Sequence, residues 1–418
     1  MAITEESNND LQGIQKALQA LNQTAEQCHA TYIAAGGDDV ESLSAKRAAR
    51  NALVLEAFRF LQIAQGPIDA AATCYEKTAH LGSVRALLEM GLFEELPLDG
   101  SPATTQHLAD KLGVDESLLA RLMRNTALYG PFEETGPDTY RHTPFSLVYL
   151  SPEVRGMFRF AMDDHMPAHL KLHEFLRQNG WKEPRSISNN PYTYAHATNG
   201  NSMFQNLSTK PKRMEAFNNG MTLQAMTSIW MIDLFPFREV LGSLHTDSRT
   251  VLAVDIGGGK GKAISRIRSL AGEPSGRFIL QDQNHVIASL DKASPYLQGI
   301  EPMAHDFFTE QPVQGALVYL IRRCLHNWPE ESVINILGKT KRAMKVNHSR
   351  LLIEEIIVPV RDSGIEEGWM DLIMMSLGAK QRTLKEWRTV LEKAGLELTR
   401  VYHLPGDPHG LIEAQVRE

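Results

Sequence analysis

The stretch TVLAVDIGGGKGKA, residues 250–263, decides how the rest of the chain is read. It begins as a short apolar run with β-branched residues, the composition of a buried strand. It ends in a glycine cluster in which Asp255, Gly257, Gly259 and Gly261 alternate, and a helical pattern follows. A buried strand feeding a glycine-rich turn and then a helix N-terminus is a nucleotide-binding geometry. Glycine lets backbone approach a ligand where a Cβ would intervene. The spacing Asp-x-Gly-x-Gly-x-Gly differs from the dinucleotide Gly-x-Gly-x-x-Gly, and the Lys-Ser/Thr of a phosphate-cradling loop is missing. Taken alone, the stretch also fits an ordinary glycine-rich turn.

Beyond it, strands and helices alternate. RFILQD (277–282) reads as a second strand, residues 300–306 as a third, LVYLIRRCLHNWP (317–329) as a fourth with its exit, and RLLIEEIIV (350–358) as a fifth. Helical patterns lie between them, and LELTRVYHL (396–404) and GLIEAQVRE (410–418) close the sheet. Such alternation demands a mostly parallel sheet with helices on both faces, and ligands sit beyond the carboxyl ends of its strands. Asp255, Asp282, Asp306 and His326 all fall at those ends. Asp282 stands about 20 positions past the glycine turn, where an acidic residue holds a ribose hydroxyl pair.

The totals restrict the alternatives. A chain of 418 residues with 43% hydrophobic and 22% charged residues is long enough for two or three domains. A net charge of −7 does not invite nucleic acid or an acidic membrane. Cys28, Cys74 and Cys324 are too few and too scattered for a disulfide framework or a zinc site. The opening MAITEESNND does not read as a secretory signal, and no apolar run is long enough to span a bilayer, so a cytoplasmic protein is expected.

In the N-terminal half, residues 9–35 and 43–64 read as helices, with a break at 36–39 and a third helix from Pro67 to Ala79. They are apolar on more than one stripe, which points to a partner chain. From Ser83, one helix stops near Pro97. TTQHLADKLGV (104–114), a helix with Leu118, Leu119, Leu122 and Met123 inward, and a hairpin turning at 136–138 make a winged helix. A DNA reader would need basic outward residues on the second helix. Arg121 and Arg124 are offset there by Asp115 and Glu116. Residues 153–240 read as mostly helical and rich in Met, Phe and His. His165, His169 and His173 fall on one helical face, but no carboxylate or cysteine pattern completes a metal site. A loop from Asn189 carries Tyr192, Tyr194 and His196, and a helix carries Met214, Phe217, Met221 and Met226. These soft side chains suit a core or a pocket for a flat apolar ligand.

SVRALLEMGLFEEL (83–96), the winged helix, VDIGGGKG (254–261), FILQD, AHDFF, RRCLHNWPEE, RLLIEEIIVP and DLIMMSL follow one another in an order that resembles the plant-type and fungal S-adenosylmethionine (SAM) dependent small-molecule O-methyltransferases. The resemblance covers nearly the whole chain. It implies an α/β fold: a Rossmann-like SAM-binding domain with a seven-stranded, mostly parallel sheet, and a mainly helical N-terminal winged-helix dimerisation domain. The implied division is 1–155 for dimerisation and winged helix, 156–245 for a helical substrate-pocket segment, and 246–418 for the catalytic domain. It further implies a homodimer acting on a small molecule, with neither nucleic acid nor membrane as partner and no metal. For the cofactor it implies Asp255, Gly257, Gly259, Asp282, Asp306, Phe307 and Arg322. For the acceptor cavity it implies Met162, His196, Phe217, Met221 and Met374. His326 matches the general base, and Glu355 a carboxylate that orients it.

Two positions depart from the family pattern. His-Asp-Trp is here His326-Asn327-Trp328, and the segment Gly-Lys-Glu-Arg-Thr is here Ala379-Lys380-Gln381-Arg382-Thr383. Gln381 can hydrogen-bond an imidazole but cannot stabilise an imidazolium by charge. The Phe-Asp-Leu-Pro pattern is altered to QDQN at 281–284, with its Asp kept. These changes admit a second reading, a SAM-bound dehydratase or pericyclase acting on a pyridone-type metabolite. A third is a catalytically inactive SAM-binding scaffold. The retained His326 favours a methyltransferase of aromatic or polyketide-like secondary metabolites, because a phenol needs its proton drawn off and an imidazole titrates near neutral pH.

Overall fold

The computed structural model describes residues 2–37, 39–224, 229–242 and 247–417, with side chains from residue 11 onward. Met226 lies outside the described residues. The chain forms two compact units. One is built from residues 1–17, 58–172 and 195–227, the other from 18–57, 173–194 and 228–418.

Two long helices open the chain, Ala2–Ala34 and Val40–Met90. The second is interrupted at Gly66 (φ 73°, ψ 166°), immediately before Pro67. It then runs through residues 79–83, where two separate helices are expected, and breaks at Gly91 instead. Gly82 stays helical, whereas Gly91 adopts φ 82°, a conformation glycine takes without a Cβ clash.

The first unit contains the winged helix. Three short antiparallel strands, β1 (Ala103–Thr104), β2 (Phe132–Gly136) and β3 (Thr139–His142), lie in the order β1-β3-β2. Helices Thr105–Leu112 and Glu116–Ala127 pack beside them, each capped by a side chain: Thr104 accepts from the amide of His107 and Asp115 from that of Leu118. Leu87, Phe93, Leu108, Leu119, Met123 and Tyr140 are wholly buried in its core. Leu118, expected inward, is exposed. The buried stripe passes through 119, 123 and 126, and position 118 lies about 100° round the helix from 119.

The Met- and Phe-rich segment begins with helix Pro152–Phe160, which crosses helix Pro211–Gln224 at glycine contacts. A Cβ at Gly156 would lie 2.5 Å from that of Asn219, and one at Gly220 would lie 3.0 Å from the Met157 Cα. A π-helical turn, Ala161–His165, follows and shifts the helical phase, and Lys171 ends the next helix. His165, His169 and His173 therefore share no continuous face. The loop expected around Tyr192 is a short helix, Pro191–Ala195, with Asn190 Oδ1 accepting from the Thr193 amide.

The second unit holds the main sheet. Its strands are β4 (Val251–Ile256), β5 (Arg277–Asp282), β6 (Glu301–Ala304), β7 (Val318–Arg322), β8 (Arg350–Val358), β9 (Arg382–Thr383), β10 (Leu396–His403) and β11 (His409–Val416). The order is β10-β11-β8-β7-β4-β5-β6, with the two-residue β9 paired to the end of β8. From β6 to β8 the strands are parallel, whereas β11 runs antiparallel to both β8 and β10. One face buries Val254, Tyr319, Ile353 and Trp387. The other buries Leu252, Phe278, Leu320 and Leu352. This two-sided burial explains the continuous apolar runs of β4, β7 and β8. Among the described residues no helix is long and apolar enough to cross a membrane.

Candidate active site

The central strands carry their polar residues to one rim because they are parallel and end together. The order reverses between β5-β4 and β7-β8, and the crevice outside that reversal is where open α/β sheets bind ligands. Asp255, Asp282, Asp306, Arg322 and His326 all come from this rim or its exits.

The glycine turn after β4 is pinned to β5. The amides of Gly257 and Gly258 donate to the Gln281 carbonyl at 2.8 and 3.1 Å, and the Gly259 amide donates to Asp282 Oδ2 at 2.9 Å. Gly257 (φ 74°) has no room for a side chain, since a Cβ there would meet Cys324 Sγ at 2.9 Å. Gly259 (φ 57°) meets nothing within 4 Å of the same position, so its backbone faces open space. Gly261 (φ 79°) then starts helix Lys262–Leu270. Asp255 is completely buried, and neither carboxylate oxygen has a hydrogen-bond partner. Burial and the Asp282 charge push its pKa up to about 7, against the pull of Arg322. A buried orphan carboxylate beside glycine backbone fits a cationic ligand such as SAM.

Asp306, exposed after β6, accepts from the Phe308 amide at 3.0 Å, which fixes the turn that carries Phe307. Phe307 is half-buried, with its ring 5.1 Å from Phe308 and 6.0 Å from Trp328. The loop is tied back to β5 by a reciprocal amide pair, Gln281 with Gln311 at 2.8 and 2.9 Å, both buried. Gln281, a departure from the family pattern, is thus matched by a partner 30 residues away.

His326 sits on a single 3-10 turn, Leu325–Asn327, after β7. Its Nδ1 lies 2.5 Å from Glu355 Oε2. The other carboxylate oxygen accepts from the amides of Leu325 (2.9 Å) and His326 (3.2 Å). Glu355 is fully buried and His326 nearly so. Successive residues of a strand face opposite ways, so Glu355 reaches the histidine turn while Glu354 turns to the other side. There Glu354 meets Arg322 Nη1 at 3.1 Å and His409 Nδ1 at 3.1 Å. Burial opposes ionisation of Glu354, but Arg322, His409 and Arg323 outweigh it and hold its pKa near about 2. Arg322 therefore stands at the rim with its guanidinium engaged by Glu354.

Gln381 is buried, yet neither atom of its side-chain amide has a hydrogen-bond partner, so the bond to an imidazole that its position admits is not made. Its backbone amide donates to Asp371 at 2.9 Å. Met374 is buried on helix Ile365–Ser376 of the same unit. Met162, His196, Phe217 and Met221 belong to the other unit. His196 Nε2 lies 2.8 Å from the Asp164 carbonyl, and the Phe217 ring packs edge-on against Phe160 and Phe204. His165, not singled out for the cavity, is buried there with Nδ1 unpartnered, and burial beside His169 and His196 lowers its pKa to about 3.

Arg382 and His409 escape a sequence reading because a lone arginine or histidine reads as a solvated surface residue. Both are buried.

The O-methyltransferase domain model matches residues 181–397, and an O-methyltransferase dimerisation domain matches 80–152. O-methyltransferase desB of Aspergillus desertorum is 66% identical over 411 residues, 97% of this chain and 98% of that protein. The crystal structure of OxaC in complex with SAH and oxaline aligns with a TM-score of 0.86 at 34% identity, covering 98% of this chain and all of OxaC. A solved structure described as a pericyclic reaction enzyme aligns with a TM-score of 0.82 at 27% identity, over 97% of this chain and all of its own. The glycine cradle, the rim carboxylates, the histidine turn and these matches lead to one conclusion: the chain belongs to the SAM-dependent O-methyltransferase family of secondary metabolism.

Proposed function

We propose that the protein methylates a hydroxyl of an aromatic or polyketide-like secondary metabolite, with His326 as general base. The observation that carries this reading is the 2.5 Å contact between His326 Nδ1 and the buried Glu355 carboxylate. A carboxylate that accepts at Nδ1 keeps the proton on that nitrogen and leaves Nε2 as the basic atom. His326 Nε2 takes the acceptor's hydroxyl proton, and Glu355 stabilises the imidazolium that forms. SAM supplies, when bound, a methyl group activated by sulfonium. Asp282 would hold the ribose hydroxyls, Asp306 and Phe307 the adenine, and Asp255 with the backbone of Gly257 and Gly259 the cationic end. Arg322 acts through Glu354. Met162, His196, Phe217, Met221 and Met374 keep the acceptor-wall roles that the family resemblance assigns, and the matched dimerisation domain supports a homodimer.

A second reading has one observation in its favour. The neutral, unpartnered amide of Gln381 stands where the family has a carboxylate that assists the base. That weakens deprotonation and leaves room for a SAM-bound dehydratase or pericyclase. Incubation with methyl-labelled SAM and a panel of phenolic and pyridone polyketides separates the two. Methyl transfer is expected, and His326→Ala lowers its rate by about 10²–10⁴ fold, the usual contribution of a general base. Full transfer by the variant removes His326 from the mechanism. An acceptor rearranged or dehydrated at constant methyl count, with SAM unconsumed, selects the second reading.

A further inference from the structure

We propose that Arg382 is a positioning residue for the base: its guanidinium clamps the turn that carries His326 from behind, through the carbonyls of Leu325 and Trp328, and places a positive charge at that turn. The proposal rests on the reading of His326 as base, but its test does not require catalysis.

The His326 turn is short and has little to hold it. The 3-10 turn contributes two backbone hydrogen bonds, from the Asn327 amide to the Cys324 carbonyl and from the Trp328 amide to the Leu325 carbonyl, both at 3.2 Å, and Pro329 comes directly after Trp328. On one side Glu355 grips the amides of Leu325 and His326. On the other side Arg382 donates to carbonyls at both ends of the turn. Its Nη1 donates to the Leu325 carbonyl at 3.4 Å, and its Nη2 donates to the Trp328 carbonyl at 3.0 Å. Nη1 also donates to the Lys380 carbonyl at 3.3 Å, so the fork ties the segment around β9 to both ends of the turn. The planar fork reaches two separated carbonyls at once, which a lysine ammonium on a flexible stem does not do with the same rigidity.

Arg382 is 1% exposed, an extreme burial for a cation. Among the described residues it pairs with no carboxylate. Its contacts are carbonyl oxygens and the Trp387 ring, whose centroid lies 5.3 Å from the guanidinium carbon. Burial lowers its pKa, and the Glu355 charge opposes that shift in part. Glu355 and Arg382 thus hold the His326 turn from two sides, the carboxylate at its amides and the guanidinium at its carbonyls. The cation limits how strongly the carboxylate draws a proton onto His326. A guanidinium bonded at both ends of the turn disfavours a second positive charge on it, so removing the guanidinium favours the imidazolium.

Two consequences separate this role from mere core filling. Arg382→Met keeps an unbranched apolar stem and removes the charge, so the His326 titration midpoint rises. Arg382→Lys keeps the charge but loses the fork, so the midpoint stays near that of the parent while the turn loosens. Both are read on the full-length protein saturated with S-adenosylhomocysteine. Histidine Cε1–H NMR, with the His326 signal assigned by its loss in His326→Ala, gives the midpoint. Hydrogen exchange of the peptide spanning residues 323–329 gives the turn's protection.

We expect an upward shift of the midpoint in Arg382→Met alone, and exchange at least about tenfold faster in both variants. With any acceptor from the panel, the pH at which transfer reaches half its maximum follows the midpoint upward in Arg382→Met. If Arg382→Met does not fold, Arg382→Gln provides the neutral side chain. An unchanged midpoint in the neutral variant, or parent-like exchange in Arg382→Lys, overturns the proposal. Full methyl transfer by His326→Ala instead overturns the base assignment and leaves the titration result standing.

Discussion

Asp255 has two carboxylate oxygens and no partner for either, in a site with no exposure to water. Burial favours the protonated form of such a group, and here Arg322 and the Ile264 amide oppose it only in part. Its pKa of about 7 means that a sizeable fraction carries a proton near neutrality. SAM is cationic, so its binding favours the ionised form and releases part of that proton. Calorimetry in buffers of different ionisation enthalpy should therefore show proton release near pH 7, and Asp255→Asn should abolish it. The same variant should weaken S-adenosylhomocysteine or SAM binding by about ten- to a hundredfold, the range for one charge-assisted hydrogen bond. At this scale the sequence was legible where a residue sat in a patterned motif. Asp255, Asp282, His326 and Glu355 were each read from strand-end position or resemblance, and the structure brings His326 and Glu355 into contact. Gln281 was read as a lost phenylalanine. Its meaning depends on Gln311, and a contact across 30 residues leaves no mark on local pattern.

Between elements, a chain of buried ionic contacts links five segments of the second unit. Arg322 at the end of β7 meets Glu354 on β8, and Glu354 meets His409 at the start of β11. His409 Nε2 lies 3.5 Å from Glu366 in the first turn of helix Ile365–Ser376, and Glu366 pairs with Arg47. Arg47 and Ser44 both approach Asp407. Burial disfavours the charge on Glu354 and Glu366, but their partners hold both near a pKa of about 2. Burial likewise disfavours the His409 charge, but Glu354 and Glu366 raise its pKa above the ordinary 6.5. The signs differ. The carboxylates' contribution is complete above pH 4.5 and is lost as pH falls toward 2. The histidine's contribution is complete below pH 6.5 and is lost as pH rises through its folded value. Thermal melts across pH should thus fall off on both sides, and His409→Gln should flatten the alkaline side while lowering the melting temperature throughout. Removing one member of a buried ion pair costs about 3–5 kcal/mol, so an unchanged melt would exclude the network as a stabilising unit. Strands β4, β5, β7 and β8 were readable as apolar runs. The π-turn at 161–165 and the outward Leu118 were not, because phase within a helix is set by packing partners as much as by the local residues.

For the whole molecule, the long N-terminal helices expose large apolar side chains. In the first unit Leu61, Ile68 and Tyr75 stand out, the last two about four-fifths exposed. A soluble monomer does not sustain such a stripe without a partner. Combined Leu61→Glu and Ile68→Glu should turn a dimer into a monomer by light scattering at micromolar concentration, with S-adenosylhomocysteine binding retained. A parent protein that is already monomeric would remove this surface from the account. The apolar excess of these helices was visible in their residues, whereas the interleaving of the chain between two units was not, since no local signal marks which unit a helix segment joins.

The position of β11 sets a timetable for synthesis. It is the last of these strands to leave the ribosome, yet it lies inside the sheet, between β8 and β10. Until residue 416 has emerged, two strand edges have no neighbour on their inner sides, and Glu354 waits for His409. Chains commonly acquire structure in the order in which they are made. Here the Arg322 side of the rim can take its final form only after everything downstream is present, so a nascent chain holds all of its cofactor carboxylates well before it can use them. Cells that make this protein face a window of open edges until β11 emerges, and expression at lower temperature or with more chaperone should raise the yield of folded enzyme more than any change to the N-terminal helices.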